Sequence, residues 1–357
     1  MSEKIILTGG GTAGHVTPNI ALLPGLRARG FEIRYIGSHE GIEKSLMEAE
    51  GVPYDGISTG KFRRYLSMKN IQDIGNILKG LKEARALLRE YKPDIVFSKG
   101  GYVAVPVVIE AHRLKIPVII HESDMTPGLA NRLCFRSADR ICCNFPETLD
   151  LLPKGKAVLS GSPIRSELLS GSRDAGLAFT GFSGEKPVLM MIGGSLGAQV
   201  LNRTLREALD ALTETFDVVH LTGKGNLDES LLGRPGYVQY EYIRAELKDL
   251  FAAADVVFSR AGANAICELL ALRKPNLLVP LSKAASRGDQ ILNARSFEKQ
   301  GFSMVIEEEQ LTAASLTEGL LSLYRDRDRY VRAMENSPAK NGVDVVLGLI
   351  DELTGHI

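Results

Sequence analysis

The sequence has few cysteines and no long hydrophobic run, and both absences narrow the class of protein. No stretch approaches the roughly 18 uninterrupted apolar residues of a membrane span. The N-terminus runs directly into a short apolar run and a glycine-rich segment, so we expect no signal peptide. The four cysteines lack C-x-x-C spacing, which argues against a disulfide framework or a zinc site and fits a reducing cytoplasm; they are Cys134, Cys142, Cys143 and Cys267.

The sequence also lacks net charge, with 43 Lys and Arg against 43 Asp and Glu. This balance, together with the absence of an aromatic stacking platform, argues against binding to nucleic acid. It hides an asymmetry, however. Residues 1–160 carry 22 basic against 17 acidic residues, and the remainder carries 21 against 26. A basic first half and an acidic second half predict different partners for the two halves.

The chain alternates short β-branched runs with amphipathic helical stretches, which is typical of βαβ units and parallel sheets. We therefore predict an α/β fold with two Rossmann-like parallel-sheet domains facing across a cleft, separated by a glycine-rich break at 161–186. The domains are 1–161 and 162–340, and a C-terminal helix at 341–357 packs back on the first. The predicted strands are 5–9, 32–37, 54–58, 94–99, 117–122, 140–144, 157–160, 187–193, 217–222, 237–242, 255–259, 276–280 and 303–307.

Two glycine-rich loops each follow a strand and open a helix. The first fits G-x-G-x-x-G at Gly9, Gly11 and Gly14, a spacing that lets backbone amides approach an anion at a helix N-terminus. The NAD-binding version needs a carboxylate after the second strand, and residues 37–39 are Gly-Ser-His. A loop facing phosphate or a second substrate is favoured, and a purely structural turn stays open. The second loop, at 193–198, predicts a similar anion site.

Titratable side chains stand at two predicted strand ends in the first half. His15 directly follows the first loop, where a histidine can act as a general base near pH 7; its alternative role is to cap the loop. His121 and Glu122 end another strand, before a helix that reaches Asn131. Ligands of open α/β sheets gather at such strand ends. Packing roles for His121 and Asn131 remain equally open.

In the second half, the segment 259–268 joins a buried strand to a helix. Asn264 and Glu268 are four residues apart and so share one helical face. Glu268 could accept two hydrogen bonds from a ribose diol, although a helical glutamate in isolation is more often only solvated. Gln290 and Asn293 open the next helix on the same rim.

The sequence offers one D-x-D motif, at 326–328, in a charged helical segment far from any strand end. We interpret it as a solvated charge cluster and expect no protein-held metal and no tightly bound cofactor. Charge compensation for a diphosphate would then come from amide dipoles, from Arg165 or from a loosely bound divalent cation such as magnesium.

A basic amphipathic segment runs from Lys61 to Lys92, with nine Lys or Arg, three acids and apolar residues at near-helical spacing. Such a segment can lie on an anionic membrane surface. The alternative is an ordinary helix that packs its apolar face on the sheet.

Taken together and in order, these motifs resemble the MurG family of peptidoglycan glycosyltransferases over essentially the whole chain. The resemblance implies a GT-B fold, UDP-N-acetylglucosamine (UDP-GlcNAc) as donor and inversion at the anomeric carbon. It implies lipid I, undecaprenyl-pyrophosphoryl-MurNAc-pentapeptide, as acceptor through its 4-hydroxyl. The motifs that carry it are 9–18, 99–102, 121–131, 161–165, 193–198, 260–268 and 289–293.

The resemblance also implies roles for individual residues. His15 is the candidate base and Glu122 a second catalytic candidate, while Glu268 would hold the uridine ribose and the Ile243 backbone would read the uracil. Some family members have Asn at the position of Asp124, which puts a sugar contact there in doubt. The implied donor contacts are Thr12, Ala13, Gly14, Arg165, Ser195, Ile243, Ala263, Asn264, Ala265, Ile266, Cys267, Glu268 and Gln290. The implied acceptor contacts are Gly11, His15, Tyr102, His121, Asp124 and Asn131.

We therefore expect a peripheral enzyme on the cytoplasmic side of the plasma membrane, with cell-wall synthesis proteins as candidate partners. Two alternatives stay open. A non-hydrolysing UDP-GlcNAc 2-epimerase resembles the same architecture and would act without an acceptor. A non-catalytic UDP-GlcNAc sensor would bind the nucleotide sugar without turnover.

Overall fold

The structure, a computed structural model, describes residues 2–60, 68–194, 197–283, 288–338 and 341–355, and the backbone alone for 68–74. The chain divides into two compact units. The first comprises Met1–Arg165 with Asn341–Ile357, and the second comprises Ser166–Lys340. The C-terminal segment thus belongs to the first unit.

The first unit is built on a parallel sheet of seven strands in the order β3-β2-β1-β4-β5-β6-β7. Its central strands are buried along their whole length, as expected for strands covered on both faces. The strand order reverses at β1, which pairs with β2 on one side and β4 on the other. The strands are β1 (Lys4–Thr8), β2 (Glu32–Ser38), β3 (Tyr54–Ile57), β4 (Ile95–Ser98), β5 (Val118–Glu122), β6 (Arg140–Cys143) and β7 (Ala157–Leu159).

The second unit repeats this plan with six parallel strands in the order β10-β9-β8-β11-β12-β13. Here the order reverses at β8, which pairs with β9 and β11. In open α/β sheets, ligands bind beyond the carboxyl ends of the strands at such a reversal, so each unit offers one candidate edge. The strands are β8 (Val188–Ile192), β9 (Asp217–Leu221), β10 (Tyr237–Tyr240), β11 (Val256–Ser259), β12 (Asn276–Leu278) and β13 (Ser303–Val305).

Helices connect the strands and cover the sheets. They are α1 (Thr17–Ala28), α2 (Ile42–Ala49), α3 (Met68–Tyr91), α4 (Ala104–Arg113), α5 (Leu129–Cys134), α6 (Arg173–Thr180), α7 (Gln199–Glu207), α8 (Leu209–Thr215), α9 (Leu247–Ala253), α10 (Ala263–Ala271), α11 (Asp289–Lys299), α12 (Ala313–Arg325), α13 (Arg327–Glu335) and α14 (Val343–Thr354). Short 3₁₀ helices lie at Ala13–His15, Pro146–Leu151, Ser166–Ser170, Glu229–Leu231 and Glu308–Gln310. In the described part of the chain, no helix combines the length and hydrophobicity that a membrane crossing requires.

The last helix packs in the first unit. Val346, Leu347 and Ile350 of α14 join the core cluster that contains α1 and β1. The side chain of Arg29 holds Asp351, with its Nε 3.0 Å from the carboxylate. This burial explains why 343–354 is amphipathic although no strand follows it.

The structure confirms the predicted α/β class with two parallel-sheet domains, and each predicted strand is present. It also confirms a helix in the basic segment, over Met68–Tyr91, while 61–67 lies outside the described residues. The buried Gly80, Ala84 and Leu88 are spaced four apart and face the protein interior. The basic side chains of Lys79, Lys82 and Arg85 are exposed.

Candidate functional site

The first glycine loop lies at the carboxyl end of β1, where the strand order reverses. Several buried polar groups hold its backbone. The Tyr35 hydroxyl donates to the Gly9 carbonyl at 2.8 Å, and Asn19 Nδ2 donates to the His15 carbonyl at 3.2 Å. Because both ends of the loop are fixed from below, the amides and His15 are held in one arrangement before any ligand binds.

Glu43 on α2 is the residue that sequence reasoning missed at this loop. Its side chain is fully buried. One carboxylate oxygen accepts from the Ser38 amide at 3.1 Å and the Ser38 hydroxyl at 2.5 Å, and the other accepts from the Gly11 amide at 3.3 Å. A carboxylate therefore does lie near the end of β2. Its oxygens accept hydrogen bonds from Ser38 and Gly11, so the carboxylate is not available to a ribose as the NAD-binding pattern requires.

His15 stands at the end of the loop with its ring half buried. Its Nδ1 lies 3.2 Å from the Lys99 carbonyl. An N–H at Nδ1 donates to that carbonyl, which leaves the Nε2 lone pair free to take a proton. Burial, and secondly the nearby Lys99 ammonium, lower the pKa of His15 below its ordinary value of 6.5. The imidazole is therefore neutral at pH 7 and has the form of a general base.

A second buried cluster lies under the ends of β4 and β5. The Lys99 ammonium is 2.8 Å from His121 Nδ1 and also contacts the Ser123 hydroxyl. His121 Nε2 lies 2.9 Å from the Gly161 carbonyl. Burial, reinforced by Lys99, lowers the pKa of His121 well below 6.5, so this ring is also neutral. His121 is thus enclosed, and of the two histidines His15 is the one that is partly accessible.

Glu122 organises the loop that follows β5. Its carboxylate accepts from the amides of Asp124 at 3.1 Å and Gly128 at 3.0 Å, and from Asn131 Nδ2 at 2.9 Å. Burial raises the pKa of Glu122, and these hydrogen bonds oppose the shift. The arrangement ties Asn131 and Asp124 to one carboxylate and shapes the loop between them.

Close packing joins the β4 loop to the glycine loop. Gly101 has a positive φ of 83°, and a Cβ on it would clash with the Gly10 carbonyl. A Cβ on Gly11 would come 2.8 Å from Cε1 of Tyr102. The structure therefore brings Gly11, His15 and Tyr102 together at one edge. The β5 loop, with Glu122, Asp124 and Asn131, borders them, and Thr12, Ala13 and Gly14 form the exposed to half-buried turn before His15.

In the second unit, the described donor residues that the resemblance implies follow the ends of strands. Helix α10 begins directly after β11, with Gly262 as its N-cap and no side chain capping its first turn. A helix start without a side-chain cap, together with the helix dipole, favours an anion there. Ala263, Ile266 and Cys267 are buried, whereas Asn264, Ala265 and Glu268 are half buried. The Asn264 and Glu268 side chains lie one helical turn apart.

Further contacts hold the loops on either side of α10. The Arg260 guanidinium forms an ion pair with Glu308 and donates to the carbonyls of Val279 and Pro280 at 3.2 and 3.3 Å. The Gln290 side chain accepts from the Leu281 amide at 3.1 Å. Both therefore fix the segment after β12. Ile243 is half buried in the loop after β10.

The second glycine loop follows β8, and Ser195 in it lies outside the described residues. A turn is closed by the Gly197 amide, which donates to the Gly194 carbonyl at 2.9 Å. A Cβ on Gly197 would clash with the Thr222 carbonyl, which also accepts from Asn202 Nδ2 at 2.8 Å. Asn202 in turn contacts His220 Nε2 at 3.1 Å. This buried chain of hydrogen bonds places the start of α7.

Two further sequence features concern charge, namely Arg165 and the D-x-D motif. Arg165, the last residue of the first unit, has a buried Nε with no hydrogen-bond partner among the described residues. Asp326 and Asp328, from the D-x-D motif, lie at the junction of α12 and α13. Across the residues that the structure describes, no group of three or more His, Cys, Asp or Glu is placed to hold a metal ion.

Known proteins place the chain in a family. The glycosyltransferase family 28 N-terminal domain matches residues 5–143, and the C-terminal domain of the same family matches residues 188–346. The protein is 60% identical to a Lachnoclostridium phytofermentans enzyme and 58% identical to one from Lachnospira eligens, in each case over 98% of this chain and 99% of the relative. Both are named UDP-N-acetylglucosamine--N-acetylmuramyl-(pentapeptide) pyrophosphoryl-undecaprenol N-acetylglucosamine transferase.

A solved structure agrees. Acinetobacter baumannii MurG is 26% identical and superposes with a TM-score of 0.78 over 98% of this chain and 99% of its own. With a matched family model over each unit and relatives that share more than half of their residues along nearly the full length, the chain belongs to glycosyltransferase family 28 and, within it, to the MurG family of N-acetylglucosaminyltransferases.

Proposed function

We propose that this enzyme transfers N-acetylglucosamine from UDP-GlcNAc to the 4-hydroxyl of MurNAc in lipid I, with inversion at the anomeric carbon. The names of the full-length relatives support both substrates. The observation in this chain that carries the chemistry is His15: a neutral, partly accessible imidazole whose Nδ1 is committed to the Lys99 carbonyl at 3.2 Å.

The transfer needs one proton removed and one bond broken. Nε2 of His15 takes the proton of the acceptor hydroxyl, the resulting oxygen attacks the anomeric carbon, and the bond to the UDP oxygen breaks. Gly11, Tyr102 and Asp124 border His15 and are the proposed acceptor contacts. Glu122 is the less suitable base, because its oxygens already accept from three donors. We assign it, with His121 and Asn131, to shaping the acceptor loop.

The donor would bind at the second unit's edge. There the uncapped start of α10 favours the diphosphate, and Glu268 would accept hydrogen bonds from the ribose diol. The Ile243 backbone would read uracil, and Gln290 and Ser195 would complete the sugar and phosphate contacts. Arg165, whose buried Nε has no hydrogen-bond partner in the described part of the chain, is the proposed cationic group, and a divalent cation carried by the diphosphate would assist it.

The membrane-anchored acceptor gives the basic helix α3 a role. Lys79, Lys82 and Arg85 are exposed, and Leu78 beside them is 57% exposed. This surface would lie on the anionic cytoplasmic leaflet, where basic side chains and an apolar residue both bind favourably. The enzyme would then be peripheral to the plasma membrane, beside other cell-wall synthesis proteins.

Transfer of labelled GlcNAc from its UDP form to lipid I tests the proposal. A labelled disaccharide-lipid product, formed only when both substrates are present, is the expected result. Two outcomes would contradict it. Conversion of the nucleotide sugar without any acceptor would indicate an epimerase, and tight UDP-GlcNAc binding without any turnover would indicate a sensor.

A further inference from the structure

Lys99 is the most unusual side chain in the first unit, because it is a lysine with only 1% of its surface exposed. Lysines are almost never buried this far unless they are paired, since an ammonium loses its hydration. This one lies at the end of β4, directly before Gly100 and Gly101. Its ammonium reaches His121 Nδ1 at 2.8 Å and the Ser123 hydroxyl. A side chain this deeply buried offers almost no surface to a substrate.

The two ends of Lys99 determine which nitrogen carries the proton in two histidines. His121 Nε2, 2.9 Å from the Gly161 carbonyl, must donate, so its Nδ1 is the acceptor for the ammonium. His15 Nδ1, 3.2 Å from the Lys99 carbonyl, must also donate, so its Nε2 keeps a free lone pair. One residue therefore fixes His15 through its backbone and His121 through its side chain.

The charges around His15 come from three elements. The hydrogen bond to the Lys99 carbonyl, then Asp124 on the β5 loop and Glu43 on α2, favour a protonated imidazole, while the Lys99 ammonium opposes it. Burial also opposes protonation and is the largest influence. Two carboxylates would thus pull His15 towards its charged form, which cannot act as a base. The buried ammonium of Lys99 counters them.

We propose that Lys99 is a positioning residue for the transfer reaction, whose buried ammonium keeps His15 neutral against Asp124 and Glu43 while its carbonyl orients the ring. This inference rests on the proposed role of His15 as the base. Lys99, which lies outside the proposed substrate contacts, would then set the pH range in which the enzyme works.

Two uncharged variants test it. Lys99→Met removes the ammonium, and Lys99→Gln removes the charge but keeps N–H donors for His121. In both, the pKa of His15 should rise, because the opposing positive charge is gone while Asp124 and Glu43 remain. The measurement is an NMR titration of the imidazole signals, with His15→Gln identifying the His15 resonance. Circular dichroism verifies that each variant is folded.

Control variants separate charge from packing. Ser123→Ala loosens the same cluster without changing its charge, so the His15 titration should stay at the parent position. Lys154→Met removes an exposed charge elsewhere in the first unit and should also leave it unchanged. A rise in the His15 pKa in Ser123→Ala equal to that in the Lys99 variants would overturn the proposal, because packing would then explain the effect.

The activity profile gives a second readout. The acid limb of kcat/KM should move to higher pH in both Lys99 variants, with the loss greatest at acidic pH and smallest at alkaline pH. If the NMR shift occurs but the activity profile does not follow it, His15 is not the base and the proposed mechanism fails while the electrostatic role of Lys99 holds. If the His15 pKa does not rise in a folded variant, or already lies at its ordinary value in the parent protein, the proposal for Lys99 is wrong.

Discussion

The two strand-end edges have the same topology but differ in chemistry. The first brings together four buried or half-buried titratable side chains, namely His15, Lys99, His121 and Glu122. The second is built from the starts of helices, from small or amide side chains and from Glu268, and the Arg260 guanidinium there is paired with Glu308. Rossmann-like topology alone therefore does not determine what an edge does.

This difference suggests a division of labour. Proton removal needs a group whose protonation state is controlled, and such groups lie at the first edge. Holding a nucleotide diphosphate needs amide donors and a few fixed hydrogen bonds, and these lie at the second. It also accounts for an acidic second half that is proposed to bind an anionic donor, because local amides outweigh net charge at short range.

Replacing His15 should have the largest effect and would break the comparison most directly. His15→Ala removes the proposed base, so turnover should fall by roughly 10²-fold or more while donor affinity stays nearly intact. Steady-state kinetics with both substrates measures this, and His112→Ala, an exposed histidine of the same unit, is the matched control. Parent-like turnover across the neutral pH range would return His15 to a loop-capping role.

Replacing Glu268 probes the second edge in the same way. Glu268→Ala should weaken UDP-GlcNAc binding by about 1.5–3 kcal/mol, because charge-assisted bonds to the ribose are lost. The loss should appear in the donor KM rather than in kcat. Glu318→Ala, on the exposed side of α12, is the control. An unchanged donor affinity in a folded Glu268→Ala variant would contradict the assignment.

His220 sharpens the comparison, because it is a buried histidine at the second edge that serves structure. Burial lowers its pKa from 6.5 to about 3, so His220 takes up a proton at a much lower pH in the folded protein than in the unfolded chain. Its contribution to stability is therefore present above pH 6.5 and is lost as the pH falls towards about 3. The expected slope is up to about 1.4 kcal/mol per pH unit.

Urea unfolding near neutral and at mildly acidic pH measures this contribution. The parent should lose more stability on acidification than His220→Gln, which has no ring to protonate. The exposed His39→Gln should behave like the parent. Equal acid sensitivity in His220→Gln and the parent would show that His220 is not responsible.

The smallest effect per residue is expected at the surface of α3. Each Lys or Arg near an anionic membrane contributes about 1 kcal/mol, and salt screens it. Replacing Lys69, Lys79, Lys82 and Arg85 together by Gln should reduce sedimentation with anionic vesicles while transfer to a short-chain soluble acceptor survives.

A matched variant in the second unit completes that test. It replaces four exposed basic residues there by Gln: Lys224, Lys299, Arg325 and Arg329. This variant should bind vesicles like the parent. Equal loss in both variants would indicate a general charge effect, and parent-like binding of the α3 variant would place the membrane contact elsewhere.

The sequence predicted the strands and both glycine loops well, because continuous β-branched runs and glycine clusters report local backbone geometry. It also predicted that His15, His121 and Glu122 stand at strand ends. It could not predict their supports. Glu43 braces Gly11 from 32 residues away, and Lys99 meets His121 across 22 residues.

Those contacts depend on tertiary packing. From the sequence alone, an isolated helical glutamate such as Glu43 would be predicted to be exposed to solvent. The same applies to the Arg260–Glu308 pair, which joins residues from different βα units. The buried residues that hold a site in place are therefore known only from the structure. The groups that the site exposes can be predicted from the sequence, because they follow the ends of strands.

The most direct test of the division between the edges is a calorimetric titration of UDP into three proteins: the parent, His15→Ala and Glu268→Ala. We predict that His15→Ala binds UDP like the parent and that Glu268→Ala binds it roughly 10- to 150-fold more weakly. Equal weakening in both variants, or weakening in His15→Ala alone, would contradict the assignment of proton chemistry to the first edge and donor binding to the second.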